Sequence, residues 1–213
     1  MGLRRRTLLV VAGASAVAGC LEDDAADDSD PDGSDDDGGG DEPESPPFEL
    51  RTVDAPGSEA GTTTVPGEGQ VTFLNPTRTL CPTSEGLIET IGDARADLES
   101  RYDVGPDGDV RFVSMVDPRS GPNPSEEELA DWWVEHGGEW TVGIDEDGTI
   151  NDYYEVNGFP TVLALDADGE VHWRDTGGTG ASNMVTGIER ALEAESEAPD
   201  PEDASDDANE STE

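Results

Sequence analysis

Residues 71–85 read VTFLNPTRTLCPTSE. The run QVTFLN at 70–75 is compact and apolar, which predicts a buried strand. Pro82, with Glu85 close behind it, is an ordinary helix start. Downstream, Leu87, Ile88, Ile91, Ala94, Leu98 and Tyr102 hold one face at helical spacing. Cys81 therefore lies between a buried strand and the first turn of a helix. Backbone N–H groups and the helix dipole stabilise a thiolate at that position and lower its pKa. Arg78, three residues earlier, adds positive charge. Glu85 works against the thiolate, less so in concentrated salt.

The same alternation continues outward. DVRFVSMV at 109–116 reads as a second buried strand. Ser125 with Glu128 makes a capping box ahead of Leu129, Trp132, Trp133 and Val134. Gly137-Gly138 ends that helix, 140–144 is a short strand, and 149–156 holds a helical turn or two. TVLAL at 161–165, the Asp166-Ala167-Asp168-Gly169 turn and a strand at 170–173 form a hairpin by turn chemistry. Ser182 opens a last helix carrying Met184, Val185, Ile188 and Leu192. On the other side, 48–53 alternates like an edge strand and leads into Gly- and Thr-rich turns up to Pro66. Parallel strands joined by helices and closed by a hairpin and a helix predict a three-layer α/β sandwich around a mixed sheet, one domain over 48–192.

Thr79-Leu80-Cys81-Pro82-Thr83-Ser84 is similar to the T-W-C-x-x-C turn of thioredoxin-like proteins, in particular the membrane-tethered TlpA-type thiol–disulfide oxidoreductases. Gly158-Phe159-Pro160-Thr161, followed by VLALDADGEVHW, resembles that family's G-[FY]-P-T, strand, D-x-D-G turn and strand. The resemblance implies a thioredoxin-like fold, with Cys81 as nucleophile and Pro160 cis and facing it. It further implies a substrate groove shaped by Thr79, Pro82, Phe159 and Thr161, and protein or small-molecule thiols and disulfides as partners. No cofactor and no metal are implied.

The departures bear on activity. The family's second cysteine falls on Ser84, its tryptophan on Leu80 and its buried acid on Asn75, while Pro76 and Thr77 stand where aromatics are common. A serine hydroxyl cannot resolve a mixed disulfide, so exchange at this CxxS site, like that of monothiol glutaredoxins, needs a second, external thiol. The alternative is a domain that has kept the fold and lost the redox function, serving as a binding or scaffold module. A minor alternative is a peroxidase, since Cys81-Pro82-Thr83 matches the C-P-T of peroxiredoxins; their Thr or Ser three residues before the cysteine is Arg78 here. A copper carrier would need a cysteine at Thr77. His136 reads as a helix-end residue, His172 as an exposed hydrogen-bonding side chain, and Asp145-Glu146-Asp147-Gly148 as a solvated turn.

Composition supplies the setting. The 213 residues carry 52 Asp and Glu against 11 Arg and no Lys, a net charge of −41. Such a balance excludes a nucleic-acid binder that works by phosphate neutralisation, and 32% hydrophobic residues exclude a polytopic membrane protein. Two cysteines exclude a disulfide scaffold and a four-cysteine zinc site. Residues 21–47 hold 13 carboxylates and 192–213 hold 10, which leaves 29 against eight Arg, about −21, on 48–191. A folded domain so charged repels itself unless molar salt shortens the Debye length to about 3 Å. The expectation is a protein of a hypersaline archaeon. Residues 1–20 (MGLRRRTLLVVAGASAVAGC) resemble a twin-arginine export signal ending in a lipobox, with Cys20 as the lipidated residue. Residues 21–47 and 193–213 read as disordered acidic segments, the first a tether. The expected location is the outer face of the cytoplasmic membrane, lipid-anchored, as a monomer.

Overall fold

A computed structural model describes residues 45–197. The signal, the lipobox with Cys20, most of the acidic tether and the end of the C-terminal tail lie outside the described residues. Within them run β1 (Phe48–Thr52), β2 (Gly61–Val65), β3 (Val71–Thr77), α1 (Pro82–Leu98), β4 (Val110–Val116), α2 (Glu126–Glu135), β5 (Thr141–Ile144), α3 (Thr149–Tyr153), β6 (Thr161–Leu165), β7 (Val171–Thr176) and α4 (Ala181–Glu197).

All seven strands form one mixed sheet in the order β2-β1-β5-β4-β3-β6-β7. β3, β4 and β5 are parallel, joined by α1 and α2; β6, β7, β1 and β2 pair antiparallel to their neighbours. The central strands β3 and β4 are buried at every position, as crossover strands covered on both faces must be. Phe73, Phe112 and Val116 face a core built with Leu87, Ile88 and Ile91 of α1, Leu129 and Trp133 of α2, and Met184 and Ile188 of α4. Leu74, Val113 and Met115 face the opposite layer, where Ile150 of α3, Tyr154 and Phe48 close a second core. The result is the expected three-layer sandwich, with a thin layer on the α3 side.

Three sequence expectations change. Residues 61–65 are a strand rather than turns, and this strand makes β1 an interior one. Its register with β1, Phe48 against Val65 through Thr52 against Gly61, uses the β-branched Thr62, Thr63 and Thr64. Helix α1 stops at Leu98, so Tyr102 packs against the core from the following turn. Helix α4 continues to Glu197, four residues past the point where the tail was expected to begin. It packs so closely on β7 that a Cβ on Gly187 would lie 2.4 Å from the Trp173 ring. The Ser125–Glu128 capping box at α2 is present with both of its hydrogen bonds.

Candidate active site

Cys81 is the N-cap of α1, with an extended backbone, and its carbonyl accepts the first helical hydrogen bond from Glu85 N–H at 3.0 Å. Pro82 at the first helical position lacks an N–H, and the sulfur makes no capping hydrogen bond at ordinary distance, but the Thr83 and Ser84 amides are near enough to act on its charge. The Cys81 side chain is half-buried. Burial pushes its thiol pKa up, but the Ser84 hydroxyl, the Ser84 and Thr83 amides and the Arg78 charge together outweigh it and hold the pKa below that of an ordinary thiol. Ser84 is fully buried, and its Oγ has no hydrogen-bond partner at bonding distance among the described residues. Its hydroxyl is thus left to serve the sulfur. Cys81 is the only free cysteine among the described residues.

The cis-proline turn lies across the sheet seam. Phe159–Pro160 is a cis bond, and Pro160 is buried. The β3–β6 register pairs Leu74 with Leu163, so the turn that precedes β6 lies at the end of β3 that leads into the cysteine loop. Two side chains tie the turn to the cysteine loop. Arg78 stacks its guanidinium over the Phe159 ring, 4.4 Å from the centroid, and donates to the Ser120 carbonyl. Asn75 donates to the Thr161 carbonyl at 3.0 Å, while Thr161 Oγ1 donates to the Gly158 carbonyl at 2.7 Å. Of the residues expected to shape a groove, Thr79 and Thr161 are buried, Pro82 is exposed and Phe159 is half-buried beneath Arg78.

Leu80, which stands where the resembled family carries tryptophan, is 81% exposed and adopts φ 58. A non-glycine residue there costs about 1–2 kcal/mol relative to an ordinary conformation. Leu80 and Thr79 border a cleft of about 210 Å³ with Pro122, Asn123, Pro124, Glu128 and Trp132. This wall was not legible in the sequence, because its second half is about forty residues away in the chain.

Asn75 was also missed as a network centre. Trp140 Nε1 donates to Ser114 Oγ at 3.0 Å, and Ser114 Oγ donates to Asn75 Oδ1 at 3.1 Å, so the place of the resembled family's acid holds a neutral, satisfied chain. His136 caps the end of α2, with Nδ1 2.9 Å from the Trp132 carbonyl, as expected of a helix-end residue. His172 is sheltered rather than exposed, and its Nε2 lies 2.6 Å from Asp166 Oδ2. The Asp145 turn is not solvated at its first residue. The Asp145 carboxylate is buried and accepts the N–H groups of Ile150 and Asn151, and burial pushes its pKa up.

No protein-family model matches the chain, and no curated protein matches it. Solved structures do. StoA from Bacillus subtilis is 18% identical over 65% of this chain and 93% of its own, with a TM-score of 0.53. MTB DsbF, solved in mixed oxidised and reduced forms, is 18% identical over 68% and 94%, with a TM-score of 0.53. A thiol-disulfide oxidoreductase from Bacteroides fragilis is 14% identical over 70% and 98%, with a TM-score of 0.51. At such identities the likeness is one of fold, and the domain over residues 45–197 has a thioredoxin-like fold.

Proposed function

We propose that this protein is an exported, lipid-anchored monothiol member of the TlpA-like thiol–disulfide oxidoreductases, working in concentrated salt through Cys81. The observation that carries the reading is the environment of that sulfur: at the N-cap of α1, the Ser84 hydroxyl, two amides and Arg78 lower its pKa against the effect of burial. The Cys81 thiolate attacks one sulfur of a substrate disulfide. The S–S bond breaks, a mixed disulfide forms, and the other substrate sulfur leaves as a thiolate that takes a proton from water. A thiol from outside the chain then attacks the substrate sulfur of the mixed disulfide and releases the Cys81 thiolate. One disulfide is exchanged for another, with no net oxidation of Cys81. Pro160 and Thr161 border the bound substrate, and exposed Leu80 offers it an apolar contact.

Mixed disulfides isolated from cells expressing the native chain and its Cys81→Ser variant test this. Adducts present in the first and absent in the second support exchange. Equal adduct patterns overturn it and favour the second reading, a binding module of the same fold. That reading draws on one observation, the neutral Asn75–Ser114–Trp140 chain where a proton-transferring acid would be needed for dithiol chemistry. A peroxidase is disfavoured, because Arg78 is committed to Phe159 and Ser120 rather than open to a peroxide.

A further inference from the structure

At the end of β6 remote from the cis-proline turn, the β6–β7 hairpin gathers Asp166, Glu170 and His172, with one donor atom from each within 4.8 Å of the other two. Asp166 Oδ1 accepts the N–H groups of Asp168 at 3.1 Å and Glu170 at 2.8 Å, which fixes the carboxylate so that Oδ2 meets His172 Nε2. His172 reaches this position through a bulge: Leu165 pairs with Val171 and Ala164 with Trp173, leaving His172 as the extra residue whose side chain is re-aimed. The Asp166 and His172 side chains are sheltered, at 13% and 19% accessibility, while Glu170 is exposed and gives an ion a way in.

Charge points the same way. Asp168 lies on the same turn, and Glu195 of α4 reaches it, accepting Ala167 N–H at 3.0 Å. Among the described residues, none of Asp166, Asp168, Glu170 and Glu195 is paired with an arginine, although four of the eight arginines there, Arg51, Arg95, Arg101 and Arg119, each hold a carboxylate. Two carboxylates, Asp166 and Glu170, meet a single imidazole, with no arginine paired to either among the described residues. Screening by salt relieves a diffuse surface charge, but it does not supply an inner-sphere ligand.

The geometry points to a divalent transition-metal site, of the zinc class, with Asp166 Oδ2, a Glu170 carboxylate oxygen and His172 Nε2 as its three protein ligands. One imidazole and two carboxylates, with positions left open, suit zinc and its first-row neighbours. Magnesium and calcium prefer more oxygens and no nitrogen. Zinc here displaces the hydrogen bond between His172 and Asp166 and ties edge strand β7 to β6. The site is independent of the Cys81 chemistry.

Calorimetric titration of the full chain carrying Cys20→Ser and Cys81→Ser, in molar KCl with excess Mg²⁺ to occupy diffuse carboxylates, tests the site without competing thiolates. One Zn²⁺ should bind per chain, and His172→Ala and Glu170→Gln should each weaken it by at least about tenfold. Glu170 is exposed, so its variant keeps the fold even if His172→Ala does not. Absence of saturable Zn²⁺ binding over Mg²⁺, or binding unchanged by Glu170→Gln, overturns the site.

Discussion

Asn75 Nδ2 donates to the carbonyl oxygen of Thr161 at 3.0 Å, joining the strand that leads into the cysteine loop to the residue that follows the cis proline. The amide is fully buried and serves both directions at once, because its Oδ1 accepts Ser114 Oγ at 3.1 Å. A carboxylate cannot repeat this, since it has no donor to offer Thr161. The asparagine is therefore more than an acid lost along with the second cysteine: it positions the proline turn.

Asn75→Asp should accordingly destabilise the fold. It sets an acceptor against the Thr161 carbonyl unless the new carboxyl keeps its proton, so its folded pKa is raised above the unfolded value. Stability then falls as pH rises through that window. The denaturation midpoint in molar salt should drop by the equivalent of about 1–3 kcal/mol at neutral pH, and by less in acid.

Ser84→Ala separates stability from reactivity. The hydroxyl is buried and makes no hydrogen bond at ordinary distance among the described residues, so its removal should leave the melting temperature unchanged or slightly raised. The Cys81 thiol pKa should rise, since the main interaction opposing burial is gone. Alkylation rate against pH reads the shift, and a profile identical to the native one would contradict the role given to Ser84.

Arg78 does its work by shape as well as charge. Arg78→Ala removes stacking worth about 0.5–1 kcal/mol and a hydrogen bond of about 1 kcal/mol to Ser120, a loss near 1–2 kcal/mol in all. Arg78→Lys keeps the charge without the planar stack on Phe159. It should be nearly as destabilised in urea titration while retaining more of the depressed thiol pKa than Arg78→Ala.

The Asp117 carboxyl is pushed up by burial, but hydrogen bonds from Arg119 and Asn151 outweigh this and hold it below the usual carboxylate range. Its contribution is present above the unfolded value of about 3.9 and is lost as pH falls through the folded one. Asp117→Asn should flatten the acid limb of the stability curve. At neutral pH it should cost only about 1 kcal/mol, because the Arg119 partner is largely exposed.

Local signals in the sequence were sufficient for much of this molecule. The strand–Cys81–helix unit, the Ser125 cap and the β6–β7 hairpin each depend on residues within a few positions of one another. What was hidden depends on distance along the chain. Asn75, Ser114 and Trp140 meet only after β3, β4 and β5 align, and Arg78 finds Phe159 across 81 residues. Strand β2 was obscured for a different reason. Its pattern Gly-Thr-Thr-Thr-Val carries a buried apolar residue only at Val65, so no alternation distinguishes it from a turn, and its pairing with β1 decides. His172 was misjudged because a bulge, invisible in the strand pattern, turned it from solvent toward Asp166.

The most direct measurement is the pH dependence of Cys81 alkylation in molar KCl, on the chain carrying Cys20→Ser so that a single thiol reports. The account predicts a midpoint clearly below the value of about 8.5 for a free cysteine, with fast labelling at neutral pH. A midpoint at or above that value would mean that burial prevails over the amides, Ser84 and Arg78, and the exchange chemistry proposed for this sulfur would be wrong.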